Sequence, residues 1–280
     1  MSTAAILTHT QPEQTSSALR ATVEAAGRAG WTLVAEASEL EKHGDAAAGV
    51  SELATDDKPD LCLVLGGDGT ILKALRHYGT REVPVFGFNY GTVGFLAAVE
   101  RDGLGRGLEA AFAGAYEVIE LPGLETDLDG GRLALNDVSL IRRPRGRVAE
   151  LAYRLGGKEV GHVRCDGLVA ATPVGSTGYN LANSGPILAW GVAGYVVSFI
   201  APHTLTARPL VVAPDDVLSV TNAAGRDPVD VVLDGEHVDE LASGAEMEVR
   251  FRDGAGRLAQ LEGANFYRRI RDKFGRLAGA

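Results

Sequence analysis

Cysteine is scarce in this chain: two in 280 residues, Cys62 and Cys165. Two thiols cannot build a disulfide framework, and their spacing fits no metal-binding pattern. Cys62 lies inside an apolar run, where a thiol behaves as a small buried hydrophobe. The six histidines show no paired spacing, so a structural zinc site is not expected, and His203 and His237 read as structural or solvent-exposed. Positive charge is also in short supply. The formal net charge of −10 argues against general nucleic-acid binding and leaves an anionic ligand dependent on local arginines. Arg142, Arg143, Arg145 and Arg147 form the densest such cluster, on an expected hairpin loop that reads as a solvated turn or, functionally, as a phosphate clamp. No apolar run approaches the roughly 20 residues of a membrane span, so no membrane partner is expected. The opening Met-Ser-Thr-Ala-Ala-Ile lacks the basic start of a secretory signal, and a cytoplasmic location follows as the expectation.

The composition that remains, 45% hydrophobic and 23% charged, is that of an ordinary globular enzyme, and the length suggests two domains. Over residues 1–115 strand and helix alternate. Ala4 to His9, Trp31 to Glu36, Leu61 to Leu65 and Val83 to Asn89 read as strands. Thr10 and Glu13 read as a capping box with Pro12 in the first turn, and Gly30 as a helix stop. Thr70 to Tyr78 reads as a helix ending at Gly79. Repeated βα units predict a doubly wound parallel sheet. From about Tyr116 strand-like runs follow one another: Leu133 to Ile141, Val148 to Leu155, Val196 to Ala201, Val217 to Thr221, Val229 to Leu233 and Met247 to Arg252. These predict an inserted β-sandwich over 116–263. A terminal helix, Ala264 to Leu277, carries Phe266, Ile270 and Phe274 on one face and is expected to return to the first domain, which then comprises 1–115 and 264–280.

The most informative stretch is Leu61 to Thr70, Leu-Cys-Leu-Val-Leu-Gly-Gly-Asp-Gly-Thr. A buried parallel strand stops at Gly66-Gly67, and Asp68 then sits between glycines before a helix. Glycines let backbone amides approach phosphate oxygens. A carboxylate repels phosphate, so its place there makes sense if it accepts a proton from an attacking hydroxyl or holds a metal against the phosphates. A tight corner with no ligand is the alternative. In a doubly wound sheet ligands bind at the carboxyl ends of the strands, where Asp68 falls. A second stretch, Asp166 to Asn180, runs as a strand into a loop broken by Pro173 and Gly175. Its hydroxyls, Ser176 and Thr177, and its ring, Tyr179, suit a nucleotide pocket; a glycine-rich crossover with a core tyrosine is the plainer reading.

Gly66-Gly67-Asp68-Gly69-Thr70 resembles the signature shared by NAD kinases, diacylglycerol and sphingosine kinases and, with Ser for Thr, phosphofructokinases. Asp166-Gly-Leu…Thr172-Pro-Val-Gly-Ser-Thr-Gly-Tyr179 is similar to the NAD kinase segment Asp-Gly-Leu…Thr-Pro-Thr-Gly-Ser-Thr-Ala-Tyr. Asn136-Asp137 resembles that family's Asn-Glu pair, and Asn89-Tyr90-Gly91 with Gly94-Phe95-Leu96 its Asn-x-Gly-x-x-Gly-Phe-Leu turn. Thr206 to Leu210 and Asp234-Gly235-Glu236 match two further segments. Gly87 to Gly94 lacks the first Gly-x-Gly of a dinucleotide fingerprint, which disfavours a Rossmann dehydrogenase.

The resemblance implies transfer of the γ-phosphoryl of ATP, or of polyphosphate, to the 2′-hydroxyl of the adenosine ribose of NAD, giving NADP. It implies Mg²⁺ carried with the donor, NAD held between two domains, and a homodimer or homotetramer. It places Asp68 as proton acceptor, with Gly66, Gly67, Gly69 and Thr70 on the donor phosphates. For NAD it implies Asp68, Gly69, Phe95 near the nicotinamide half, Asn136, Asp137, Arg164, Asp166, Thr177, Gly178, Tyr179 near adenine, Asn180, Leu181 and Ala182. Three positions depart from the family: Asp137 for Glu, Gly178 for Ala, and Val174 for Thr. The competing readings are a lipid or sugar kinase sharing the Gly-Gly-Asp-Gly loop, and a catalytically silent NAD(H)-binding sensor.

Overall fold

In the computed structural model residues 2–54, 57–79, 81–144, 146–224, 227–264 and 266–275 are described. The chain divides into two units, Met1–Glu120 with Gly256–Ala280, and Leu121–Ala255. In the first, strand and helix alternate: β1 (Thr3–Thr8), α1 (Ser16–Ala29), β2 (Thr32–Ala35), α2 (Ala37–His43), β3 (Val50–Glu52), β4 (Leu61–Gly66), α3 (Asp68–Gly79), β5 (Val85–Asn89), β6 (Val99–Glu100) and α4 (Leu104–Phe112). The strands are parallel, in the order β3-β2-β1-β4-β5 with β6 beside the end of β5. All six residues of β4 are buried, as expected of a central strand covered on both faces. The order reverses between β1 and β4, which puts the switch point of the sheet beside the carboxyl end of β4. Ile6, Leu63, Phe86, Phe88 and Leu108 build the core there.

The second unit is β-rich: β7 (Glu117–Thr126), β8 (Leu133–Ala134), β9 (Asp137–Arg142), β10 (Ala149–Leu155), β11 (Lys158–Cys165), β12 (Gly167–Ala171), the short α5 (Tyr179–Ala182), β13 (Tyr195–Ile200), β14 (Leu210–Val212), β15 (Leu218–Asn222), β16 (Val229–Leu233), β17 (Glu236–Leu241) and β18 (Glu246–Gln260), followed by α6 (Phe266–Phe274). One antiparallel sheet runs β14-β13-β12-β9-β16-β17, and a second run is β11-β10-β15-β18. Leu140, Leu168 and Val231 from the first sheet share a buried core with Leu151, Val220 and Val249 from the second. That is a sandwich, its inner faces alternating with solvated ones. β7 and β18 carry the chain across the boundary between units. The end of β18, at Leu258 and Ala259, lies parallel to β5, and α6 belongs to the first unit.

Three local readings need correction. The Thr10–Glu13 capping box does not form. Pro12 instead sets a one-turn 3₁₀ helix, Pro12–Gln14, whose first carbonyl accepts from the Ser16 hydroxyl at 2.7 Å, and α1 starts only at Ser16. The Arg142–Arg147 segment is not a hairpin loop. β9 pairs with β12 and β16, whereas β10 pairs with β11 and β15, so the arginines ride a crossover from one sheet to the other. Arg145 and the expected last residues of the terminal helix, 276 and 277, lie outside the described residues. Lastly, the expected strand Leu133 to Ile141 is broken at Leu135-Asn136, a break that shapes the site below.

Candidate active site

The carboxyl end of β4 turns through Gly66-Gly67 into α3. Each glycine has its own reason. A Cβ on Gly66 would lie 2.6 Å from the Thr70 side chain, and one on Gly91 would lie 2.7 Å from the Gly67 Cα. The turn after β4 and the turn after β5 therefore close on each other backbone to backbone. Gly69 is different. A Cβ there would meet nothing within 4 Å, so the protein's own packing does not demand a glycine at this exposed position. Beside it the Thr70 and Ile71 amides already donate to the Gly67 carbonyl, at 3.0 and 3.1 Å, which leaves the Asp68 and Gly69 amides as the donors at the start of α3.

Asp68, half-buried in that first turn, is held by the chain after β5. Its Oδ2 accepts from the Phe95 amide at 2.9 Å and its Oδ1 from the Leu96 amide at 2.8 Å. The Phe95–Leu96 turn depends on Asn89, whose Oδ1 accepts from the Gly91 amide (3.0 Å) and whose Nδ2 donates to Glu100 (2.7 Å). Gly94, at φ +66°, passes so close that a Cβ would lie 2.1 Å from Asn89 Nδ2. The Phe95 ring itself is buried against Phe266 and Phe274 of α6; it is the backbone of Phe95, not the ring, that reaches Asp68.

In the second unit the break between β8 and β9 exists because Asp234 demands it. With a left-handed backbone of its own (φ +49°), Asp234 accepts from the Leu135, Asn136 and Asp137 amides at 3.0, 2.6 and 3.1 Å. Three donors on one carboxylate fix the start of β9. The loop after β12 packs on the same point: Thr172, fully buried, donates to the Leu135 carbonyl (2.6 Å) and accepts from the Gly175 amide (3.1 Å), and a Cβ on Gly175 would collide with the Asn136 carbonyl. Asn136, Asp137 and the Gly175–Ala182 segment are thus one cluster. Within it Ser176 and Asn180 are fully buried and knit the loop. The Ser176 hydroxyl donates to the Pro173 carbonyl and accepts from the Leu188 amide, so its expected role towards a nucleotide is corrected to a structural one. Asn180 donates to the Ser176 and Pro186 carbonyls, both at 3.0 Å. Thr177, Gly178, Tyr179, Leu181 and Ala182 keep access to solvent. Two buried acceptors of this cluster, Asn136 Oδ1 and Asn180 Oδ1, take no hydrogen bond from any described residue.

Asp137 is 7% exposed. Burial pushes its carboxyl up to about 6, the Ser139 hydroxyl bonded to it at 2.8 Å works the other way, and the Asp234 charge adds to the rise. The Tyr179 hydroxyl is also pushed up, by burial and then by the Asp137 and Asp166 charges, which puts it within electrostatic reach of both carboxylates. Arg164 and Asp166 precede β12 whereas Thr177 follows it, so they sit at opposite ends of that strand. There Arg142 pairs with Asp166, and both line a cleft of about 1130 Å³ with Arg143, Arg147 and Arg164. Arg143 is engaged by Asp230 and Glu240, which makes Arg142 and Arg143 ion-pair partners inside the unit rather than free charges.

Two family models match this chain: the ATP-NAD kinase N-terminal domain over residues 14–116 and the ATP-NAD kinase C-terminal domain over residues 135–260. The chain belongs to the ATP-NAD kinase family. An NAD kinase of Rhodopirellula baltica is 34% identical over 227 residues, covering 79% of this chain and 73% of that protein. The structure of an NAD kinase from Archaeoglobus fulgidus in complex with ATP superposes with a TM-score of 0.75 at 26% identity, covering 98% of this chain and 97% of that one. The yeast NADH kinase complexed with NADH shares the fold at a TM-score of 0.86 and 20% identity, covering 100% of this chain and 89% of that one.

Two outcomes follow from this geometry. A Cβ at position 69 meets no described atom within 4 Å, so the unfolding free energy of Gly69→Ala should stay within about 1 kcal/mol of wild type while ATP affinity, read by calorimetry, falls at least about tenfold; unchanged ATP binding would remove Gly69 from the donor site. Asp137→Asn should act through pH. A folded-state pKa raised above the unfolded value means that the native protein binds the extra proton between about pH 4 and 6, so stability is lost as pH rises through that window. The amide has no such cost, so the variant should be more stable than wild type at pH 8, by on the order of 2–3 kcal/mol, and the gain should vanish near pH 4. Thermal unfolding at both pH values measures it, and a gain independent of pH would contradict the buried-charge account.

Proposed function

We propose that this protein transfers the γ-phosphoryl group of ATP to the 2′-hydroxyl of the adenosine ribose of NAD, producing NADP and ADP. The observation that carries the reading is Asp68: a carboxylate at a glycine turn on the carboxyl end of a central strand, with each oxygen fixed by a backbone amide. Such a group is oriented without being neutralised, as a base needs to be. In the proposed step the ribose O2′–Pγ bond forms as the Pγ–O bond to ADP breaks, and the hydroxyl proton passes to Asp68. The Asp68 and Gly69 amides and the open face at Gly69 would receive the phosphates, with Gly66, Gly67 and Thr70 shaping the turn that presents them.

Magnesium suits this loop, because its side-chain donors are hard oxygens and a single carboxylate is enough for an ion that arrives on substrate phosphates. Bound there, it would neutralise charge on the transferring group. On the acceptor side, the bare Asn136 Oδ1 favours a ligand donor such as an adenine amine or a ribose hydroxyl, since a buried acceptor left unpaired costs about 1–3 kcal/mol. Asp137 would accept from a ribose hydroxyl, and Tyr179 would lie against the adenine ring. Arg164 and Asp166, at the far end of β12, would serve the rest of the dinucleotide. We assign the donor role to the first unit and NAD binding to the second. A cytoplasmic homodimer or homotetramer accompanies this reading; Leu205 and Val211, 92% and 51% exposed, are apolar side chains such an assembly would cover.

Incubation with ATP, Mg²⁺ and NAD should yield NADP, and lipid or sugar acceptors should not be phosphorylated. Asp68→Asn keeps the acceptor oxygen for one amide but cannot take a proton. Its kcat should drop about 10²–10⁴-fold while NAD affinity stays within a few fold. A helix cap or turn-former would tolerate Asn, so near-normal turnover would take Asp68 out of the chemical step.

A further inference from the structure

The turn that holds Asp68 is itself held from behind by the end of the chain. Arg269, on α6, donates through Nη1 to the carbonyls of Phe95 and Ala97, both at 2.7 Å. Its other terminal nitrogen donates to Gln260 Oε1, and Gln260 Nε2 donates to the Leu96 carbonyl at 2.8 Å. Three consecutive carbonyls, 95 to 97, are therefore gripped by two side chains. The middle of this arrangement is one peptide group. The Phe95 carbonyl and the Leu96 amide belong to the same planar unit; its oxygen accepts from Arg269 and its N–H donates to Asp68 Oδ1. Fixing the oxygen fixes the direction of the N–H, and a cation on the oxygen polarises the amide, which strengthens its donation to the carboxylate.

We propose that Arg269 is a positioning residue for Asp68, acting through the Phe95–Leu96 peptide to set the direction of the carboxylate that receives the ribose proton. This rests on the kinase reading of Asp68. Arginine is the residue such a task requires, because a planar guanidinium can satisfy two carbonyls and an amide oxygen at once, and an ammonium cannot match that fork. Burial works against its charge, while the Asp68 and Glu100 carboxylates work in favour of it. Docking of α6 does not hang on this one residue: Phe266 and Phe274 pack on the Phe95 ring, and Lys273 reaches Glu100 at 2.8 Å.

The test is steady-state kinetics of Arg269→Lys and Arg269→Met, each alone and combined with Asp68→Asn, with Lys273→Ala as a control on helix docking. Both Arg269 variants should lose about ten- to a hundredfold in kcat, the scale of a small misplacement of a reacting group, with KM for NAD and ATP within about threefold. On the Asp68→Asn background the same changes should cost less than about threefold, because the carboxylate they act through is gone. Lys273→Ala should keep wild-type kcat. A wild-type kcat for Arg269→Lys, a loss repeated in full on the Asp68→Asn background, or an equal loss for Lys273→Ala would each overturn the proposal. If Arg269→Met does not fold, the Lys variant and its double mutant decide. A wild-type protein that makes no NADP would overturn the kinase reading itself, an outcome read before any variant is made.

Discussion

A carboxylate held at a glycine turn keeps its charge only if whatever restrains it does not neutralise it. Backbone amides are that something. They bear no net charge, their direction is set by the planar peptide, and two of them, from Phe95 and Leu96, take one oxygen each of Asp68. Much of the first unit can be read as support for that contact. The parallel order of β1, β4 and β5 delivers the two turns side by side, and the Gly67–Gly91 approach lets them touch. Asn89, braced by Glu100, gives the second turn its shape.

The second unit solves a matching problem with the opposite chemistry. At the start of β9 the carboxylate of Asp234 gathers three amides, which frees the neighbouring Asn136 and Asp137 side chains from structural duty. The short side chain at 137 is part of this economy. One methylene less than glutamate keeps its carboxylate on the strand's own face, where Ser139, two residues on, can donate to it. With its pKa raised by burial, the carboxylate at 137 lowers the stability of the fold as pH rises past about 6.

The glycine turn, the alternating βα units and the sandwich texture were legible in the sequence because each is a local pattern: a periodicity, a breaker, a run of β-branched residues. What escaped was written in polar residues or across long separations. β11 (Lys158–Cys165) and β17 (Glu236–Leu241) are edge strands with mostly exposed side chains, so they lack the apolar alternation that betrays a strand, as edges that avoid aggregation should. β7 contains Pro122, which argues against a strand in any local reading. Arg142 to Arg147 looked like a turn because a change of sheet and a hairpin use the same residues. Asp234 and its amides are nearly a hundred positions apart, and Arg269 and Phe95 farther still. An arginine on an amphipathic helix gives no sign of which carbonyls it will meet; only the carbonyls that half-bury it in the fold distinguish it from the exposed Arg268 beside it.

The first unit is discontinuous, and that has a consequence for how the protein is made. Its glycine turn emerges from the ribosome early, yet the strand end that flanks β5 and the helix that grips the Phe95–Ala97 turn come after the whole second unit. At a synthesis rate of about 5–20 residues per second the loop waits roughly 10–40 seconds beside an unfinished sheet edge. Throughout that wait β5 offers an open flank and the Asp68 turn has no clamp. A nascent chain therefore carries the motif without the geometry that the folded protein gives it, and the Asp68 turn reaches its final form only as α6 leaves the exit tunnel.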